Sequence, residues 1–202
     1  MLLSIEESQK LLSQYGLLFP KTAVYGQHQG VSFPVALKVD SSKIVHKTDR
    51  GWVRLNLNSE AELTHTVMQL ESNLKGVKHQ WVVQEMVKGV EVIIGMKRDP
   101  TFGPVIVFGL GGILVEILKD VSMQLIPLSR KEALRMINSI KGKKLLEGFR
   151  GSSSINKETL VQALIQASKL AEQEKSIVEF DFNPVIVNQQ GAYVVDARVI
   201  LC

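Results

Sequence analysis

Apolar and polar positions recur with two different periods along this chain, and the switches between them mark out its elements. The first segment has a helical period: Ser4 and Glu7 form an S-x-x-E capping signal, Leu11 and Leu12 follow, and Gly16 ends it. Thr22 to Tyr25, Val35 to Val39 and Val53 to Leu57 read as strands. Ser59 predicts the cap of a second helix running to about Leu74, with Leu63, Val67 and Leu70 at helical spacing. A β-rich middle follows. Trp81 to Val87, Glu91 to Met96, Val105 to Phe108 and Ile113 to Leu118 are short apolar or β-branched runs separated by glycine, proline or charge, and Ser122 to Ile126 is one more candidate strand. Two helices come next, Ser129 to Ile140 and Lys157 to Lys175. The second places Leu160, Ala163, Leu164, Ala167 and Leu170 on one face. A hairpin-like pair, Ile177 to Val187 and Ala192 to Ile200, closes the chain around Gln189-Gln190-Gly191. There is no internal repeat and no regular βαβ alternation, so the pattern predicts an α+β fold with mainly antiparallel sheets.

Composition narrows the function classes. The 202 residues suffice for one domain or two small lobes with a real core. Apolar content of 45 % and charge of 22 % are ordinary for a soluble domain. The net charge of +4 is spread along the chain, only Lys141, Lys143 and Lys144 cluster, and aromatics make up 6 %. A nucleic-acid face concentrates its charge and interleaves aromatics, so the composition argues against such a partner. Cys202 is the single cysteine, which allows no internal disulfide and suits a reducing cytoplasm. No segment approaches the ~18–20 apolar residues of a bilayer span. The N-terminus turns polar at Glu6, Glu7, Gln9 and Lys10, unlike a signal peptide. We expect a cytoplasmic protein without a membrane partner.

Candidate chemistry starts at Pro34-Val35-Ala36-Leu37-Lys38, an apolar strand that delivers a lysine, followed by the polar loop Ile44-Val45-His46-Lys47-Thr48-Asp49-Arg50-Gly51. Lysine supplies charge to phosphate oxygens, glycine lets backbone N–H groups approach them, and an imidazole can accept a phosphoryl group. Taken alone, the loop fits a charged surface hairpin as well. In the closing hairpin, the turn near Gln190 can bring Asn183 and Asp196 together across the strands. An amide oxygen beside a carboxylate suits a magnesium ion that also binds phosphates, or a structural polar pair at a strand end. Phe108-Gly109-Leu110-Gly111-Gly112-Ile113 is a glycine-rich turn, neither a dinucleotide fingerprint nor a P-loop, and Glu116, Lys119 and Asp120 lie within reach of a ligand in it. Gln84-Glu85-Met86-Val87 can offer backbone groups to an adenine edge, and Glu91 can bind ribose hydroxyls; both also fit an ordinary strand-turn-strand. Arg98, in the charged turn Lys97 to Pro100, serves a phosphate or is simply solvated. His28, His65 and His79 have no metal-ligand spacing, which argues against zinc, and no nucleophile elbow occurs.

Together these segments resemble the ATP-grasp domain of the nucleotide-diphosphate-forming acyl-CoA synthetases, and within it the β subunits of ADP-forming acetyl-CoA synthetases, relatives of succinyl-CoA synthetase β. The resemblance runs over nearly the whole chain. It is carried by Leu11-Leu12-x-x-Tyr15-Gly16, Pro34 to Lys38, Ile44 to Asp49, Val53-Arg54-Leu55-Asn56-Leu57, Gln84-Glu85-Met86, Gly89 to Gly95, Lys97-Arg98-Asp99-Pro100-x-Phe102-Gly103-Pro104, Phe108 to Gly112, Leu145 to Gly151, Asp181-x-Asn183-Pro184 and Val195-Asp196-Ala197-Arg198. It implies one ATP-grasp domain over residues 1–202, two α+β lobes gripping a nucleotide, with a smaller lid lobe at about residues 22–87.

The resemblance also implies roles. Lys38 would reach the nucleotide phosphates, Val45 to Lys47 would line the phosphate path, and Gln84, Glu85, Met86 and Val87 would form the adenine hinge. Glu91 would bind ribose, Asn183 and Asp196 would hold Mg2+, and His46 would carry the phosphoryl group. The implied reaction is acyl-CoA + ADP + phosphate ⇌ acid + CoA + ATP, with a partner α chain holding the CoA site and its own phosphohistidine. The CoA-binding and ligase domains are not in this sequence, so the expected assembly is a hetero-oligomer. Three features depart from the family pattern. Gly51-Trp52 stands where Gly-Gly is usual, and only Gly26 to Phe33 fills an interval that usually holds a helix; the turn at Lys88-Gly89 is also short by a residue. The alternative they raise is a catalytically weakened ATP-grasp module with a binding or regulatory role.

Overall fold

The computed structural model describes residues 1–41, 51–74, 76–112, 120–148 and 154–202. The chain divides into two compact units, Pro20–Val87, and Met1–Phe19 together with Lys88–Cys202. The predicted strand at Ile113 to Leu118 lies outside the described residues.

The smaller unit is a four-stranded antiparallel sheet built from β1 (Thr22–Val24), β2 (Val35–Asp40), β3 (Val53–Leu57) and β4 (Gln80–Glu85), in the order β1-β4-β2-β3. Helix α2 (Glu60–Glu71) starts where Ser59 accepts the N–H of Glu62, and a 3-10 turn at Ser72–Leu74 ends it. Strand β2 is buried at all six positions, although it alternates in chemistry. Val35, Leu37 and Val39 join Leu63, Val67 and Leu70 of the helix in one apolar cluster. Ala36, Lys38 and Asp40 take the other face, as the period of two requires. Between β1 and β2 the described chain makes turns and no helix. Trp52, half-buried, packs against the apolar cluster.

In the larger unit, β5 (Val90–Asp99), β6 (Gly103–Leu110), β7 (Val121–Leu125), β8 (Ile177–Val187), β9 (Ala192–Val194) and β10 (Ala197–Leu201) form an antiparallel sheet in the order β10-β8-β5-β6-β7, with β9 also paired to β8. Helices α1 (Ile5–Ser13), α3 (Arg130–Ser139) and α4 (Lys157–Gln173) cover one face. Both α1 and α3 begin with reciprocal capping boxes, Ser4 with Glu7 and Ser129 with Glu132. The core joins Leu160, Leu164, Ala167 and Leu170 of α4 to alternate strand residues: Val92, Ile94 and Met96 of β5, Ile106 and Phe108 of β6, and Phe180 and Phe182 of β8. Each fully buried leucine of that stripe contributes about 2 kcal/mol by leaving water. The residues between them, Glu91, Gly95 and Lys97 on β5 and Glu179 and Asp181 on β8, therefore lie on the opposite face.

Arg98 serves neither a phosphate nor open solvent. Its guanidinium donates to the carbonyls of Ala171 (2.7 Å), Glu174 (2.9 Å) and Ile177 (2.7 Å), closing the C-terminus of α4 where the last carbonyls lack helical partners. Asp120 is likewise structural. Its carboxylate accepts the N–H groups of Lys141 (2.8 Å) and Gly142 (2.7 Å) and caps the 3-10 turn Lys141–Leu145. Replacing Arg98 by Met keeps the aliphatic stem and removes all three donors. We expect a loss of about 2 kcal/mol in urea unfolding, with Arg98→Lys recovering only part because an ammonium lacks the fork geometry. Unchanged stability in the Met variant would show that water replaces the guanidinium without cost.

Candidate functional site

The polar face of the larger sheet is organised by β8. Its register with β9 and β10, Val185 opposite Val194 and Phe182 opposite Ala197, sets Asn183 opposite Asp196. The Asn183 N–H donates to the Asp196 carbonyl at 3.0 Å. The pairing with β5 slips by one residue between Val92 and Ile94, so Asn183 and Pro184 share the space opposite Ile93. This is a β-bulge, a place where proline's missing N–H is tolerated and where a side chain is re-aimed. Asn183 is exposed and Asp196 half-buried. The structure thus brings the two predicted metal ligands together.

Asp181 belongs to the same group and was not among the predicted ligands. It sits opposite Gly95 on β5 and Arg198 on β10. Burial pushes its carboxyl above the ordinary value of 3.8, the negative charge of Asp196 adds to the effect, Arg198 opposes it, and Glu179 adds a little more. The face carries more negative charge than its one arginine offsets. The donors are all hard oxygens, amide and carboxylate, which fit Mg2+. Among the described residues, no three His, Cys, Asp or Glu side chains lie close enough to hold a metal unaided. A Mg2+ held by Asn183, Asp196 and Asp181 would draw further ligands from phosphates and water, the usual mode for that ion.

Glu91 lies beside the glycine turn that follows β6. The Gly111 N–H donates to the Glu91 carbonyl at 2.7 Å, and a Cβ on Gly111 would stand 2.9 Å from the Glu91 Cβ. Only glycine permits that approach. The Glu91 side chain is exposed at the turn, where a Cβ on Gly112 would meet its Oε2 at 3.2 Å. A groove of about 860 Å3 lined by Phe102, Val105, Val107, Met123 and Leu125 lies on the same face, across β5 from the carboxylates. It is mostly apolar, Lys97, Arg98 and Asp99 line one end, and none of the predicted metal ligands borders it.

In the smaller unit Lys38 is 5 % exposed and Gln84 2 %. The Lys38 Nζ donates to Gln84 Oε1 at 2.8 Å. The predicted hinge is heavily used within its own unit. The Glu85 N–H donates to the Lys21 carbonyl (2.9 Å) and the Met86 N–H to the Pro34 carbonyl (3.1 Å). The Glu85 carboxylate accepts the Ser32 N–H at 2.8 Å. An adenine contact from this segment therefore falls to Val87 or to carbonyl oxygens. Val45, His46 and Lys47 lie outside the described residues, as do Glu116 and Lys119. Of the other histidines, His28 pairs with Glu60 and His79 with Glu71, and His65 is exposed on α2.

Comparison with known proteins places these features in a family. The profile of the ATP-grasp domain matches residues 1–201. The chain is 38 % identical to the β subunit of the ADP-forming acetate–CoA ligase I of Pyrococcus furiosus, over 96 % of this chain and 90 % of that one. It is 42 % identical to the ADP-forming acetate–CoA ligase II of Archaeoglobus fulgidus, over 100 % of this chain and 30 % of that one. Among solved structures it is similar to the dinucleotide-forming acetyl-coenzyme A synthetase 1 of Ca. Korarchaeum cryptofilum in complex with coenzyme A and Ca-AMPCP, with a TM-score of 0.93 at 39 % identity, covering 100 % of this chain and 93 % of that one. The same enzyme with Mg-AMPPCP, its phosphohistidine segment pointing towards the nucleotide site, gives a TM-score of 0.87 at 39 % identity, over 98 % of this chain and 93 % of that one.

The raised Asp181 carboxyl has a consequence for stability. The folded protein holds that proton more readily than the unfolded chain, so the contribution is full below the ordinary 3.8 and is lost as pH rises through the higher folded value. Asp181→Asn should remove this loss. In calorimetry without divalent cations, the variant should match the wild type in acid and exceed its melting temperature at neutrality. Parallel pH curves for the two proteins would mean that Asp181 titrates like an exposed carboxylate.

Proposed function

The chain belongs to the ATP-grasp family, and we propose that it acts as the nucleotide-binding β chain of an ADP-forming acyl-CoA synthetase, with acetyl-CoA as the type substrate of its assembly. The observation that carries this reading is the meeting of Asn183 and Asp196 beside the charge-strained Asp181 on one sheet face. The likeness to β subunits and to a nucleotide-bound synthetase supports it.

Roles follow from chemistry. Asn183 and Asp196, with Asp181 beside them, would hold Mg2+, which would supply positive charge against the phosphates. Glu91 accepts hydrogen bonds from ribose hydroxyls next to the backbone turn at Gly111. Lys38 donates to a phosphate oxygen, Val45 and Lys47 line the phosphate path, and Gln84 to Val87 border the adenine. The smaller unit, Pro20–Val87, is the part we assign as lid. A CoA-binding α chain supplies the acyl phosphate and a phosphohistidine, and the phosphoryl group passes by way of the His46 imidazole to ADP. The presence of Lys38, His46, Asn183 and Asp196 together supports an active site over a weakened one.

Two measurements test the proposal. Mg-ADP at about a hundred times its Kd should stabilise the chain by about 2.7 kcal/mol, and Asp196→Asn should shrink that shift and its magnesium dependence while leaving the apo melting temperature in place. No shift and no heat of titration with millimolar Mg-ADP or Mg-ATP would remove the nucleotide-binding reading. For the carrier step, His46→Ala should keep Mg-ADP binding but lose ATP formation when mixed with the α chain, acyl-CoA and phosphate, and the wild type should acquire an acid-labile phosphate. Full ATP formation by the alanine variant would point to direct transfer to ADP.

A further inference from the structure

Lys38 is held by a chain of hydrogen bonds whose direction is fixed from one end. The Pro20 carbonyl can only accept, and it takes the Thr22 hydroxyl proton at 2.8 Å. The Thr22 oxygen then faces Gln84 as an acceptor, and Gln84 Nε2 donates to it at 3.2 Å. That selects one orientation of the amide. The other end, Oε1, must point away, and it accepts the Lys38 Nζ at 2.8 Å. Gln84 sits 2 % exposed on the central strand pair, where Ala36 is its register partner, so the amide has no room to trade these bonds for water. A flipped amide would aim its NH2 at the ammonium and cost both a bond and a repulsion.

We infer that Thr22 and Gln84 are positioning residues for the phosphate-binding lysine: Thr22 sets the Gln84 amide so that its oxygen aims the Lys38 ammonium. The choice of an amide matters. Gln84 anchors Nζ through a neutral oxygen, so this bond leaves the ammonium's charge intact for a phosphate. A carboxylate at position 84 would hold the same Nζ more tightly and offset that charge. The inference rests on the proposed role of Lys38 in nucleotide binding. It gives the Gln84 side chain a task of its own beside the hinge role of its backbone: the buried amide acts on the lysine.

Charge and geometry separate this role from a merely structural one. If Gln84 only satisfied a buried lysine, glutamate would serve as well or better. We expect Gln84→Glu to keep or raise the apo melting temperature and to weaken Mg-ADP binding about tenfold or more by calorimetric titration. Thr22→Val, which keeps shape and removes the hydroxyl, should weaken binding in the same direction, and Thr22→Ser should restore it. Lys38→Ala serves as the reference for complete loss of the lysine. Wild-type affinity in both Gln84→Glu and Thr22→Val, with affinity lost in Lys38→Ala, would overturn the inference and leave the nucleotide reading standing. Wild-type affinity in Lys38→Ala would overturn the role of the lysine itself, and the inference with it. Should Thr22→Val fail to fold, Gln84→Glu and Thr22→Ser decide the matter.

Discussion

The burial of alternate residues on β8 is the constraint on which the larger unit depends. Phe180 and Phe182 stack with ring centroids 4.4 Å apart, and Val185 and Val187 continue the same buried face. A strand whose one face is fully buried cannot slip by a residue without turning that face to water. The core thereby fixes the register, and the register decides which polar residues meet. Asp181 is set against Gly95 and Arg198, and Asn183 against Asp196, because the phenylalanines have no alternative place. The register relaxes at the bulge at Asn183-Pro184, where a side chain must be aimed rather than packed, and again near the start of the strand opposite Ile200 and Leu201. The candidate metal face is thus a by-product of apolar packing on the far side of the same strand.

The smaller unit applies the same rule to a harder problem. Strand β2 is buried along its whole length, yet every second residue on one side is Ala36, Lys38 or Asp40. A buried ammonium is costly unless it is hydrogen-bonded. The neighbouring strand answers with Gln84, and Gln80 donates to Asp40 at 3.4 Å further along the same pair of strands. The polarity of the Thr22 hydroxyl then reaches the lysine through one amide. A residue of the edge strand β1 thus acts, through one amide, on a charged group at the centre of the sheet.

Much of this was legible in the sequence. The capping box at Ser4 depends on residues three apart, so local spacing exposes it. The closing hairpin and its Asn183–Asp196 meeting follow from counting back from a turn. What stayed hidden depends on partners distant in sequence. Arg98 binds carbonyls more than seventy positions away, and no local pattern distinguishes such an arginine from a solvated one. Asp120 reads as a ligand candidate because it follows a glycine turn, and becomes a cap only once the 3-10 turn at Lys141–Leu145 is beside it. Asp181 was visible as part of a motif, but its raised carboxyl comes from burial and from a neighbour on another strand. The hinge at Glu85 and Met86 looked available because a sequence does not show that Lys21 and Pro34 already take its N–H groups.

These details bear on how a polyphosphate can be held without being held too tightly. The larger unit gathers carboxylates on one face, where burial first and the charge of Asp196 second hold the Asp181 carboxyl above its ordinary value, an environment that suits a hard cation. The smaller unit anchors a lysine through a neutral amide, so geometry is fixed by a bond that does not itself offset charge. Each arrangement is fixed by the packing of its own strands: buried phenylalanines set the register of β8, and the Gln84 amide is held on the central strand pair of the smaller sheet.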